Sequence, residues 1–193
     1  MSDHVEVLPT TATADNGVLR KRIVEVGSGK GLFLCRYAKM YPEHEIIGLE
    51  LAKKYAEMSH AKLTKMGHQH ACCLAVDACR WMAEQNPDSF DEVHVYFPDP
   101  WWKKRHKKRR VLNEGMVKNI ERTLKPGGEL HFWTDVLEYF ESTLELLAGH
   151  TKLIGPEFVP KTPPENDMDY RTHFERRTRL NQLPVYRSLF RKA

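Results

Sequence analysis

The sequence has little cysteine: four in 193 residues, Cys35, Cys72, Cys73 and Cys79. None form a CxxC pair and no histidine stands at a matching spacing. That argues against a disulfide framework or a structural zinc site, so no metal is expected. Cys72 and Cys73 sit in an apolar run and read as strand or core residues. Long apolar runs are absent too; none approaches the ~18–20 residues of a membrane span. Met1–Asn16 lacks the basic-then-apolar order of a signal peptide, so a cytoplasmic location with no membrane partner is expected. Internal repeats and low-complexity linkers are missing. The length and the 41% hydrophobic content suit one domain with a proper core.

What is present is charge, unevenly placed. The net charge is +4. Lys103–Arg110 holds seven of the 30 basic residues. Arg171–Ala193 holds seven more against one acid, Glu175. The rest of the chain therefore carries 16 basic and 25 acidic residues, a net of −9. Positive charge gathered into two segments of an acidic body is the footprint of a polyanion partner.

In chain order, 1–19 is polar and reads as a mobile arm; 20–193 reads as one folded domain. Apolar strands are expected at 20–26, 45–50, 71–76, 93–97 and 129–134. Between them, helical spacing covers 32–40, 51–66, 79–85 and 114–124, the last with Asn113 as N-cap. Lys125-Pro126-Gly127-Gly128 is expected to stop that helix. A further helix covers 136–147. A proline-rich loop, Pro156–Glu165, precedes two short strand candidates, 171–176 and 184–190, read as an antiparallel hairpin. Strands alternating with helices predict a mostly parallel α/β sheet with helices on both faces.

Ligands of such sheets bind outside the carboxyl ends of the strands. Gly27-Ser28-Gly29-Lys30-Gly31, Glu50, Asp77, Asp99 and Asp135 all fall there. Gly27, Gly29 and Gly31 let the backbone turn sharply and approach a ligand. Their spacing is GxGxG, with Leu32 where a dinucleotide fingerprint would place its last glycine. Glu50 stands at the interval of a ribose-binding acid. An acid-rich rim without a phosphate cradle suits a cationic nucleoside cofactor, and S-adenosylmethionine fits. Glu25 would then face its ammonium and Asp77 its adenine.

After the fourth strand comes Phe97-Pro98-Asp99-Pro100-Trp101-Trp102 and then the basic run. With Val24–Gly31, Gly48-Leu49-Glu50, Thr134-Asp135 and Thr172-His173-Phe174-Glu175, this pattern resembles the bacterial tRNA (guanine-N7-)-methyltransferases over roughly 20–190. Phe-Pro-Asp-Pro-Trp plus the basic run is its most specific part. The family usually has a longer segment before its first strand. The resemblance implies a Rossmann-like class I methyltransferase fold and methyl transfer from S-adenosylmethionine to N7 of guanine at position 46 of the tRNA variable loop. It implies cofactor contacts from Glu25, Glu50, Asp77 and Asp99, with Asp99 as the catalytic acid. It further implies substrate contacts from Lys103, Asp135 and the Thr172–Glu175 segment, and RNA contacts from Arg105, His106, Lys107, Lys108, Arg109 and Arg110. Read from the residues alone, a methyltransferase of another RNA, a non-catalytic RNA-binding module and a nicotinamide oxidoreductase stay as alternatives. The sequence leaves monomer and homodimer equally open.

Overall fold

The structure, a computed structural model, describes residues 20–161 and 170–193. The expected arm, 1–19, and part of the Pro156–Glu165 loop lie outside the described residues. Strands and helices alternate as the spacing predicts: β1 Arg22–Val26, α1 Leu32–Met40, β2 Glu45–Glu50, α2 Lys53–Lys65, β3 Ala71–Ala75 and α3 Ala78–Glu84. The series continues with β4 Phe90–Tyr96, α4 Glu114–Thr123, β5 Leu124–Thr134 and α5 Leu137–His150. It closes with β6 Ile154–Glu157, α6 His173–Leu180 and β7 Tyr186–Arg191.

Among the described residues the strands form one seven-stranded sheet in the order β3-β2-β1-β4-β5-β7-β6. The first five are parallel; β7 runs antiparallel to both β5 and β6. Alternation along each strand sorts the core into two layers. Val24, Val26, Val93, Val95 and Phe132 face Met82 of α3, Val117 and Ile120 of α4 and Tyr139 of α5. On the other face, Ile23, Ile46 and Tyr96 meet Phe33 and Leu34 of α1 and Leu63 of α2. Two buried layers explain why the strands read as near-continuous apolar runs. No helix among the described residues is long and apolar enough to cross a membrane.

Two local expectations are corrected. Residues 171–176 do not form a strand: Thr172 caps α6, its Oγ1 accepting the Glu175 N–H at 3.0 Å. Thr-x-x-Glu is a helix-start pattern, and it prevails over the short alternation read as extended. The hairpin partner of β7 is instead β6, which includes Pro156. Likewise Lys125–Gly128 does not delay β5 to residue 129. The strand starts at Leu124 opposite Phe90, and the four residues bulge before Glu129 pairs with Glu92. Gly127 holds the turn with φ 75° and donates to the Lys192 carbonyl at 2.9 Å. Asn113 does cap α4, accepting from the Met116 N–H at 3.1 Å.

Candidate functional site at the carboxyl edge of the sheet

The loop from β1 to α1 turns through three glycines in the left-handed region, with φ of 80° at Gly27, 52° at Gly29 and 72° at Gly31. A side chain there would be strained. At Gly31 an added Cβ would also lie 2.7 Å from Ser59 Oγ, so the loop is pressed onto α2. Glu50, at the end of β2, braces it: one carboxylate oxygen accepts the Gly29 N–H and the other the Ala52 N–H, both at 2.8 Å. Asp77, at the end of β3, is exposed and caps α3, accepting from Cys79 and Arg80 N–H groups through Oδ1.

Glu25 differs from these acids. It is 2% exposed, and its Oε2 is buried with no hydrogen-bond partner. Burial pushes its carboxyl up to about 7, and the neighbouring Glu50 charge adds to the rise while Ser28 opposes it. A buried acceptor without a donor is costly, and a cation arriving from the glycine loop would complete it. Glycine loop, bracing Glu50, exposed Asp77 and unpartnered Glu25 fit a nucleoside cofactor that carries a positively charged amino-acid end.

The segment after β4 is strained on both sides of its acid. Phe97 has φ 50° and Trp101 φ 48°, values that cost non-glycine residues about 1–3 kcal/mol each. They bracket Pro98-Asp99-Pro100 and leave Asp99 exposed at the edge. The basic run then forms a 3-10 turn, Lys104–Arg109, and it is not uniform. Lys103, Arg105, Lys108 and Arg109 are exposed and His106 is half-buried. Lys107 donates to Glu138 at 2.5 Å.

Arg110 does not join the exposed surface expected of an RNA contact. It is 7% exposed, donates to the Pro100 carbonyl at 2.9 Å and to Glu138 Oε2 at 2.5 Å, and lies 4.2 Å from the Tyr139 ring centre. Hydrogen bonds from Arg110 and Lys107 hold the Glu138 carboxyl down at about 2. The last arginine of the run thus ties the Asp99 loop to α5. The tryptophans also part company. Trp101 turns back under Arg109, 5.1 Å away, and His106, 5.9 Å away, while Trp102 is 71% exposed.

Asp135, at the end of β5, accepts from Thr178 Oγ1 of α6 at 3.4 Å, so α6 closes over this edge. Glu175 belongs to that packing. It is 2% exposed; Oε2 accepts the Arg171 N–H at 2.7 Å, and Oε1 faces Arg179 at 3.1 Å and Arg187 at 3.4 Å. Thr172 spends its hydroxyl oxygen on the cap. These two residues build the helix start rather than present free acceptors. Sequence reading missed Arg171, whose guanidinium lies 4.9 Å from Trp133, 5.7 Å from Tyr96 and 5.8 Å from Phe33. Its partners come from three distant elements, and no local spacing marks them.

Comparison with known proteins places the chain among methyltransferases. A family model described as a putative methyltransferase matches residues 20–188. A tRNA (guanine-N(7)-)-methyltransferase of Rhodopirellula baltica is 49% identical over 180 residues, covering 88% of this chain and 65% of the relative. Proteins of the same name from Alcanivorax borkumensis and an Exiguobacterium species are 34% and 31% identical, covering 89% and 95% of this chain and 72% and 86% of theirs. The chain thus spans just under two thirds of the first relative's length. Among solved structures, a SAM-dependent O-methyltransferase of Thermotoga maritima superposes with a TM-score of 0.61 at 18% identity, over 90% of this chain and 59% of that one. A precorrin-6y C5,15-methyltransferase of Geobacter metallireducens gives 0.61 at 17% identity, over 90% and 81%. At those identities the likeness is one of fold, the Rossmann-like methyltransferase fold.

Proposed function

The chain belongs to the tRNA (guanine-N7-)-methyltransferase family, and from that premise we propose that it methylates N7 of a guanine in the variable loop of tRNA, in the cytoplasm. S-adenosylmethionine, when bound, supplies an electrophilic methyl on a sulfonium, with a ribose and an ammonium to be recognised. The observation that carries this reading is the unpartnered carboxylate oxygen of Glu25, buried beside the glycine loop. It receives the ammonium. Glu50 holds the loop and the ribose, and Asp77 stands toward the adenine.

Guanine N7 has an in-plane lone pair and no proton to lose, so no general base is required. What the transfer needs is alignment, and a charge distribution that favours a purine becoming cationic. Asp99 supplies a carboxylate there. The strain at Phe97 and Trp101 fixes its position, and Arg110 buttresses Pro100 behind it. Asp99 also accepts from guanine N–H donors and so selects guanine over adenine. Trp102 offers an exposed indole on which an extruded base stacks. Lys103, Arg105, Lys108 and Arg109 hold phosphates.

The test is incubation with labelled S-adenosylmethionine and unmodified tRNA, followed by mapping of the label. Label on N7 of a variable-loop guanine is expected. Label elsewhere, or tRNA binding without transfer, overturns the proposal.

A further inference from the structure

A second polar centre lies on the α1 face, toward the opposite ends of the strands from Asp99. Alternation along β4 turns Glu92, His94 and Tyr96 to one face, and in-register pairing sets Glu129 and His131 beside the first two. The His94 and His131 rings stack with centres 4.5 Å apart and planes at 13°. Glu92, His94 and His131 line a cavity of about 250 Å³, walled by Tyr37 and Arg171; none of the strand-end acids lines it. Buried polar side chains usually close on one another and leave no space. Here the three also bond to neighbours, yet one donor atom from each lies within 4.8 Å of the others at the wall of the cavity.

We propose that Glu92, His94 and His131 bind a divalent transition-metal ion, with zinc the best match. Two imidazoles and one carboxylate are zinc-type donors, whereas calcium and magnesium prefer oxygen alone. His131 Nε2 donates to Glu129 at 2.9 Å; with that N–H held by the carboxylate, His131 would ligate through Nδ1. Lys21, Arg36 and Arg171 also line the cavity beside Glu92 and Glu129, so the ion must displace a cation. Lys21 Nζ stands 3.0 Å from Glu92 Oε1, and that lysine side chain is 52% exposed, so it swings into water as the ion takes over.

His94 Nε2 lies 3.0 Å from Glu92 Oε2 and Nδ1 lies 2.7 Å from the Tyr96 hydroxyl. Ligation through Nε2 moves the ring proton to Nδ1, where the Tyr96 oxygen accepts it in a hydrogen bond. No bond to carbon forms or breaks, and no electron is transferred. The ion would join β4 to β5 beneath α1, apart from the carboxyl edge.

The test is titration of the metal-stripped full chain with zinc by calorimetry, and with cobalt by its visible d–d absorption. Variants His131→Ala and Glu92→Gln are titrated alongside, with His68→Ala as control, at a second histidine pair (His68 and His70, ring centres 5.3 Å apart) that does not line the cavity. Circular dichroism confirms that each is folded. The expected result is one equivalent bound by the wild type. Affinity falls about tenfold or more in His131→Ala or Glu92→Gln and is unchanged in His68→Ala. Equal binding by wild type and both site variants, loss in His68→Ala alone, or no binding up to millimolar zinc overturns the site.

Discussion

Glu25 and Glu175 are equally buried, each 2% exposed. Their surroundings are opposite. Glu175 has both oxygens engaged, by a backbone N–H and by Arg179 and Arg187. Glu25 keeps one oxygen with no partner, and its carboxyl is pushed up to about 7. Glu175, satisfied by its own protein, serves the scaffold; Glu25, with one oxygen left open beside the glycine loop, is the one we assign to a ligand. Charge in the sequence looks the same in both cases. What separates them is whether arginines arrive from elsewhere in the fold.

Mutation separates the two most sharply on the Glu175 side. Glu175→Gln removes the carboxylate that Arg179 and Arg187 share, and loss of one partner of a buried pair costs about 3–5 kcal/mol. Thermal or urea unfolding of the purified variant measures it. A melting point within a degree or two of wild type would show that Glu175 is no keystone. Asp99 is the opposite kind of acid, exposed and placed by strain. Asp99→Asn is expected to lower kcat by about 100-fold with the melting point unchanged, the size of loss seen when one preorganised electrostatic group is removed. Near wild-type turnover would end its electrostatic role.

The aromatic and basic residues divide in the same way. Trp102→Ala should weaken tRNA binding by about 1–3 kcal/mol, the worth of a base–aromatic stack. Trp101→Ala should instead loosen the loop. Smallest is the effect of Arg109→Ala, which should lower the slope of log affinity against log salt by about 1. Arg110→Ala should leave that slope unchanged and lower stability, because Arg110 is held by Pro100 and Glu138. The same slope change in both variants would erase the distinction.

Much of this was legible in the sequence. Apolar runs followed by Gly27–Gly31, Glu50, Asp77, Asp99 and Asp135 marked the carboxyl edge, because alternation of strand and helix leaves few ways to wind a sheet. Asn113 announced its helix through local chemistry alone. The illegible parts are those decided by distant partners. Nothing in Lys103–Arg110 marks Arg110 as buried; Glu138, which claims it, is 28 residues away. The segment 171–176 alternated weakly enough to pass for a strand until Thr172 and Glu175 were seen to close a cap. His94 and His131 have no motif spacing, and only the pairing of β4 with β5 brings them together.

Glu25 carries the central claim, and its titration tests that claim directly. The folded-state value of about 7 stands above the ordinary 4.5, so the cofactor-free fold loses stability as pH rises from about 4.5 toward 7. Binding of an ammonium favours the ionised form, which reverses the sign. S-adenosylmethionine affinity, measured calorimetrically from about pH 6 to about pH 8, should climb up to tenfold per unit and level off above 7. In Glu25→Gln the affinity should be weak and flat with pH, and the cofactor-free melting point at about pH 8 should rise above wild type. A Glu25→Gln variant that binds the cofactor as tightly as wild type, with the same pH profile, would contradict the assignment.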